Sequence, residues 1–209
     1  MMATSKPQTD KRQAILDSAL SLFVEQGFHA SSTASIARNA GVATGTLFHH
    51  FPSKDALLEC LFLEIKQEFA DAILAGYRSG TGPSGIPQTE ESQGMSLQRA
   101  ANLLWQSAID WGLQHPQKQA FFQQYAMSPA IAAPVRAQAM NLILGFIGQL
   151  IGQGQRQGLI ADYPLALMLE NCQGQYLAAS RFFLDNPQLG KDESHRQASF
   201  ALFWRAMAL

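Results

Sequence analysis

Hydroxyl and imidazole side chains crowd one short stretch of the chain. Thr44, Thr46, His49 and His50 all fall inside Thr33–Lys54, which reads TASIARNAGVATGTLFHHFPSK. Such groups exchange hydrogen bonds with phosphate oxygens and base edges, and a threonine methyl can meet the methyl of thymine. Metal or acid–base chemistry at the paired histidines is disfavoured. Adjacent helical residues diverge by about 100°, and neither a cysteine nor a carboxylate cluster accompanies them. Elsewhere, Asp110, Glu170 and His115 are the residues that could converge on a catalytic centre. However, the chain has no phosphate loop, no metal-ligand spacing and no nucleophile paired with a base, so no catalytic residue, metal site or cofactor is expected. His115 and His195 lie near helix boundaries, where capping or solvent exposure explains them. Cys60 and Cys172 sit in apolar helical patterns and read as buried free thiols.

The elements that position these groups can be read from the same stretch. Ser32 is placed to cap a helix whose inward face is Ile36, Ala37 and Ala40, and Gly41 stands where a left-handed residue ends it. Val42 plugs the turn. Thr44 is placed to cap a second helix that points Leu47 and Phe51 inward and Thr46, His49 and His50 outward, with Gly45 leaving its start bare. Pro52 stops this helix and Ser53 caps the next. Two helices joined by a three-residue turn containing glycine are the arrangement that lays the second helix in the DNA major groove. The predicted helix-turn-helix therefore spans residues 32–51. Thr33 and Thr44 also stand at helix starts, where hydroxyls and free backbone N–H groups meet phosphate.

Helical periodicity runs from end to end, without strand-like alternation, so the predicted fold is all-α. A first helix from about Asp10 to Gln26 buries Ile15, Ala19, Leu22 and Phe23 and ends at Gly27. A long fourth helix from Lys54 to about Tyr77 carries the stripe Leu58, Leu61, Phe62, Ile65, Phe69 and Ile73, and belongs to two domains. Residues 79–95, rich in glycine, proline and polar side chains, read as a mobile loop. Further helices are expected at about 96–114, 116–127, 134–157, 164–186 and 192–207, for about nine in all. Gly145, Gly148 and Gly152 recur on one helix, where each costs roughly 1 kcal/mol against alanine. Close helix–helix approach is the favoured explanation, and a helix deformable for ligand access the alternative.

The chain has 209 residues, is 47% apolar and carries a formal net charge of −1. This leaves room for a well-buried core and argues against purely electrostatic nucleic-acid binding. The first 54 residues carry five basic side chains (Lys6, Lys11, Arg12, Arg38 and Lys54) against Asp10, Asp17 and Glu25. Their basic bias is modest, and a dimer would double it. No signal peptide is apparent and the apolar runs are too short to span a bilayer, so a soluble, cytoplasmic protein is expected.

The order of these features resembles the TetR family of bacterial transcription regulators. The residues that carry the resemblance are Ile15-Leu16, Leu22-Phe23, Gly27-Phe28, Ile36-Ala37, Ala40-Gly41-Val42, Gly45 to Phe51, and Ser53-Lys54 with Leu57. The resemblance implies a DNA-binding domain over residues 9–69. It also implies a helical ligand-binding and dimerisation domain over residues 70–209. It places Thr33, Thr44, Gly45, Thr46, Phe48, His49, His50 and Lys54 on the DNA-facing surface, with Thr46 the best candidate for touching a base and Lys54 able to reach the backbone. Two departures stand out. Phe48 replaces the tyrosine usual in the family, and Ala34 stands where some members carry a base-reading arginine, so readout would lean on DNA shape and half-site spacing.

The same resemblance implies a cavity among the fourth to eighth helices. Trp105, Phe122, Phe146 and Tyr176 are candidates to line it, with Asn141 and Gln173 as orienting polar groups. These aromatic residues could equally fill a core. So could Trp111, Phe121, Tyr125, Phe182 and Phe183. Few charges lie in those helices, which favours an apolar or aromatic effector. The last two helices, with Leu165, Met168, Leu169, Cys172, Tyr176, Phe183, Phe200, Phe203, Trp204 and Met207, correspond to the dimer interface of such proteins, although an intramolecular core could use the same residues. The implied function is a homodimeric repressor that binds a palindromic operator and is released by a small, mainly apolar effector. A regulator acting through a protein partner or without any ligand is the alternative, and a helical enzyme a more distant one.

Overall fold

A computed structural model describes residues 8–81, 90–126 and 128–209. Nine α-helices occur among the described residues: α1 (Gln8–Ala30), α2 (Thr33–Asn39), α3 (Thr44–His50), α4 (Lys54–Thr81), α5 (Glu90–Gln114), α6 (Pro116–Tyr125), α7 (Ala133–Arg156), α8 (Leu165–Asp185) and α9 (Glu193–Arg205). A single 3-10 turn at Leu189–Lys191 precedes α9. The described residues contain no strand beyond an isolated antiparallel bridge between Ile160 and Ala208. The all-α expectation and its approximate helix count agree with this.

Two compact units form. The first gathers the residues up to Ile65 with Gln117–Ala139; the second gathers Lys66–Pro116 with Met140–Leu209. Both α4 and α7 contribute to each unit.

In the first unit, Ile15, Phe23, Ile36, Leu47, Leu57 and Leu58 are buried, as the helical spacing of apolar residues requires. Phe62 meets Phe121 and Phe122 at ring-centroid distances of 6.4 and 6.1 Å, which brings α6 into this core. The phenol of Tyr125 donates to the carbonyl of Phe23 over 3.2 Å. Buried Ser18 is satisfied by donating to the carbonyl of Ile36 at 2.9 Å. The first helix does not stop at Gly27. That residue breaks the helix locally at φ 80°, and helical turns resume as far as Ala30. Only glycine takes this conformation without strain, so the glycine kinks the element where it was expected to end it. Ser31 then gathers the released carbonyls, its hydroxyl donating to Leu22 at 3.0 Å and Gly27 at 2.8 Å.

In the second unit, Arg196 on α9 ties α5 to the turn before it. Its guanidinium donates to the Gln106 side chain at 2.8 Å, to Asp110 at 2.6 Å and to the Gly190 carbonyl at 3.2 Å. Trp105 stacks on Phe203 at 4.4 Å, and its indole N–H donates to Ser199 at 2.8 Å. Gly190 packs so tightly on Leu113 that an added Cβ would lie 2.8 Å from its methyl carbon.

Several element boundaries moved. The expected loop at 79–95 is shortened at both ends, because α4 runs to Thr81 and α5 begins at Glu90. Elongating an existing helix costs far less than nucleating one, so long helices extend into weakly favourable sequence. Residues 82–89 of that loop lie outside the described residues. The helical glycines also differ from expectation. A Cβ at Gly145 would meet nothing within 4 Å, and one at Gly148 only the Leu165 side chain at 3.6 Å. The close approach is made by Gly154 instead, where a Cβ would sit 2.6 Å from Ile160 and 2.8 Å from Leu97.

Candidate functional site

The helix-turn-helix closes through local hydrogen bonds that the sequence encodes directly. The Ser32 hydroxyl accepts from the amide of Ser35 at 3.0 Å, and the Ser35 hydroxyl accepts from the amide of Ser32 at 3.1 Å, forming a reciprocal capping box. Gly41 takes φ 66°, and the amide of Val42 returns to the carbonyl of Ala37 at 2.9 Å, so α2 ends in a left-handed turn. The N-cap of α3 is Ala43, in extended conformation and without a side-chain cap bond. Thr44 is therefore the first helical residue and not the cap, because α3 begins one residue earlier than expected. Ser53 does cap α4, its hydroxyl accepting from the amide of Ala56 at 3.0 Å.

Leu47 and Phe51 hold the recognition helix and are buried, whereas Thr44, Gly45, Phe48 and His49 are exposed, and Thr33, Thr46 and His50 are half-buried. Phe48 leaves 46% of its surface in solvent, a large value for an aromatic side chain with no hydroxyl of its own. The rings of His49 and His50 meet edge to face at 5.4 Å. Arg38 and Asn39, at the end of α2, are also exposed.

Lys54 is placed differently from the freely reaching cation that the sequence suggests. Its ammonium donates to the carbonyls of Phe28 at 2.8 Å and Ser31 at 3.0 Å, and lies 4.2 Å from the centroid of the Phe28 ring. These carbonyls lie at and just beyond the carboxy-terminal end of α1, where a cation is favoured both by hydrogen bonding and by the helix dipole. Two of its three donors are thus held within the protein. Nearby, Arg12 pairs with Glu64 and donates to the Cys60 thiol at 3.1 Å. Burial is the main cause that pushes the Cys60 thiol up, with Glu64 adding to it and Arg12 opposing.

The second unit contains a cavity of about 120 Å³. Trp105, Gln173 and Tyr176 line it, together with Phe69, Phe203 and Trp204 among others. Phe122, Asn141 and Phe146 do not. Phe122 is packed against Phe62 in the first unit, Asn141 is exposed on α7, and Phe146 stacks edge to face on Tyr77 at 5.1 Å. The polar groups in the lining are few. The Tyr176 hydroxyl donates to the Ala108 carbonyl at 3.3 Å, and burial pushes its ionisation upward. The Cys172 thiol donates to the sulfur of Met207 at 3.4 Å and is pushed by burial up to about 11. Lys66, which is not among the site residues expected from the sequence, also lines the cavity and is only 8% exposed. Burial brings its ammonium down from 10.5 to about 8. The available signal was its position on the stripe Phe62, Lys66, Phe69, Ile73, at helical spacing among apolar residues.

Asp110, Glu170 and His115 do not converge. Asp110 pairs with Arg196, Glu170 is exposed, and the nearest carboxylate to the His115 ring is Glu68 at 3.9 Å. Among the described residues, no group of three or more His, Cys, Asp and Glu is gathered to hold a metal ion, and no helix is long and apolar enough to cross a membrane.

Of the stripe expected to face a partner copy, Met168, Cys172, Tyr176, Phe183, Phe200 and Met207 are buried within the chain itself. The large apolar side chains exposed on α8 and α9 are Leu165, Leu167, Phe182 and Leu202.

A capped helix-turn-helix in the first unit and an apolar cavity in the second define a helical regulator of the helix-turn-helix class. Residues 15–61 match the sequence model of the family described as bacterial regulatory proteins, tetR family. A crystal structure of a tetR family transcription regulator from Shewanella sp. PV-4 is similar to this chain at 56% identity, covering 95% of this chain and 98% of that one, with a TM-score of 0.85. A TetR family transcription regulator from Marinobacter aquaeolei VT8 shares the fold at 21% identity and a TM-score of 0.76, covering 96% of both chains. The HTH-type transcriptional regulator BetI of Escherichia coli O139:H28 is 39% identical over 67 residues, or 32% of this chain. This chain spans about a third (34%) of the length of that curated relative. The chain belongs to the TetR family of bacterial transcription regulators.

Proposed function

We propose that the protein is a homodimeric transcriptional repressor that binds a palindromic operator and is released by a small, mainly apolar effector, acting in the cytoplasm. The observation that carries this reading is the two-sided recognition helix. Leu47 and Phe51 hold it from behind while Thr44, Gly45, Phe48 and His49 stand exposed along this short helix. Thr33, Thr44, Gly45, Thr46, Phe48, His49 and His50 form the DNA face, with Thr46 reading a base. Lys54 adds positive charge behind that face while bracing α1.

Trp105, Gln173 and Tyr176 are the cavity residues that meet the effector. The exposed Leu165, Leu167, Phe182 and Leu202 on α8 and α9 join two copies, so that two recognition helices stand about 34 Å apart, or a multiple of that, for successive major grooves. Because α4 contributes residues to both units, it is the covalent path by which effector binding changes operator affinity. That change equals the effector's differential affinity for the two states.

Footprinting on the protein's own promoter region in moderate salt tests the reading. A protected site with two related halves is expected, together with a shift in sequence preference on Thr46→Ala. Equal affinity for promoter and random DNA refutes it.

A further inference from the structure

The cavity is apolar with one exception of charge. Lys66 is the charged residue among its described lining, and no carboxylate shares that lining. The other polar groups are mostly committed. The Tyr176 hydroxyl, the Trp105 indole N–H and the Cys172 thiol each donate within the chain. The Lys66 ammonium lies 5.9 Å from the centroid of the Phe69 ring, itself part of the same wall. An ammonium has three donors, so it can take a ligand's oxygen in addition to the bonds it makes within the chain.

We propose that the effector is a monocarboxylate with a compact apolar or aromatic body, its carboxylate paired with the Lys66 ammonium and its body held against Trp105, Tyr176 and Phe203. This rests on the effector-responsive reading above and names the ligand class for the same cavity. A neutral apolar ligand would add to the desolvation of the ammonium and bring no charge to offset it, and a cation would meet it with like charge. A polyanion would find a single cation to receive it. The volume bounds the body's size, since at about 120 Å³ the cavity is somewhat smaller than a site of about 150 Å³ that accommodates benzene, so the body is at most one small ring. With its ionisation near 8, the ammonium is still protonated at neutral pH and ready for an anion.

The test uses the purified full-length protein and the tryptophan fluorescence of Trp105 and Trp204, both in the cavity wall. Probes are phenylacetate and benzoate, their amides as neutral isosteres, and phenethylamine as the cation. The proteins are wild type, Lys66→Met and Lys66→Gln, with folding checked by circular dichroism. Wild type should bind each carboxylate about tenfold or more tighter than its amide. Both variants should lose that preference, and the carboxylates should displace promoter DNA from wild type alone. Carboxylates that fail to bind, that bind no tighter than amides, or that keep their advantage in both variants overturn the inference. Release of DNA by the amides but not the carboxylates also overturns it and leaves the effector-responsive reading standing. The binding arm is read without DNA, so it decides the ligand class even if the protein prefers no operator.

Discussion

Replacing Lys66 with methionine should stabilise the second unit at neutral pH by about 3 kcal/mol. The magnitude follows from the ammonium's environment. Burial lowers its ionisation from 10.5 to about 8, and each tenfold change in proton affinity is worth about 1.4 kcal/mol. The folded protein releases this proton near pH 8, the unfolded chain only near 10.5. Between these values the unfolded chain binds more protons, so stability rises with pH. The cost is fully present below pH 8 and is gone above 10.5.

The buried Cys172 thiol and Tyr176 hydroxyl move the other way, since burial holds their protons in the folded state and stability falls as they titrate. Their effect is common to both proteins and cancels in the difference between wild type and Lys66→Met. All three tryptophans, Trp105, Trp111 and Trp204, belong to the second unit, so urea unfolding followed by their fluorescence reports on that unit. Measured from pH 6.5 to 10.5, the stability gap between variant and wild type should close by about 3 kcal/mol as pH rises. A gap that stays flat, or a variant less stable than wild type at pH 7, would show that the bonds the ammonium makes within the chain offset the cost of its burial, and would refute the desolvation argument.

Three further outcomes follow from other parts of the structure. Lys54→Ala removes two charge-assisted bonds to the end of α1 and should cost about 2 kcal/mol in the first unit by chemical denaturation. The same variant should weaken specific and random DNA alike in gel-shift titrations, and a change of sequence preference would contradict the bracing role. Phe48→Tyr restores on an exposed side chain the hydroxyl usual in the family, and should tighten operator binding severalfold at fixed salt; unchanged affinity would place this ring away from the DNA. Gly145→Ala fills empty space in a helix and should stabilise the protein by about 1 kcal/mol in thermal melts, whereas destabilisation would mean that something seats against that glycine.

The helix-turn-helix was legible in the sequence because its determinants are local. Ser32 and Ser35 cap each other, Gly41 adopts the left-handed turn that its type permits, and Ser53 caps α4, all within a few residues of chain. The apolar stripe of α1 was equally readable, but the path beyond Gly27 was not. A glycine that ends a helix and one that kinks it look alike until Ser31 is seen collecting the carbonyls. The cavity depended on non-local information. Phe122 and Trp105 are both aromatic residues on helical stripes, yet one meets Phe62 in a solid core and the other lines a void. Helical period alone does not say which helix a stripe will face. Lys66 was not legible as a cavity residue for a related reason, since a long aliphatic stem lets lysine occupy an apolar stripe while its head goes elsewhere. Only the packing around it shows that the head stays inside.

The two lysines of α4 then bear on how large a response the charge in the cavity can drive. Lys54 holds the end of α1, and Lys66 stands about three turns further along the same helix in the cavity wall. A carboxylate that fully relieves the desolvation of Lys66 can supply at most the roughly 3 kcal/mol that burial withholds, which is about a hundredfold in an equilibrium. Moving a two-state regulator from 1:99 to 99:1 needs about 5.5 kcal/mol of differential affinity. Charge pairing alone therefore falls short of a complete switch, and apolar contacts made in only one of the two states must supply about 2–3 kcal/mol more. That is within reach of one buried ring against Trp105 and Phe203, since fully burying an apolar side chain contributes about 1.5–3 kcal/mol. A small carboxylate without such a body should bind at Lys66 yet release the operator only partially.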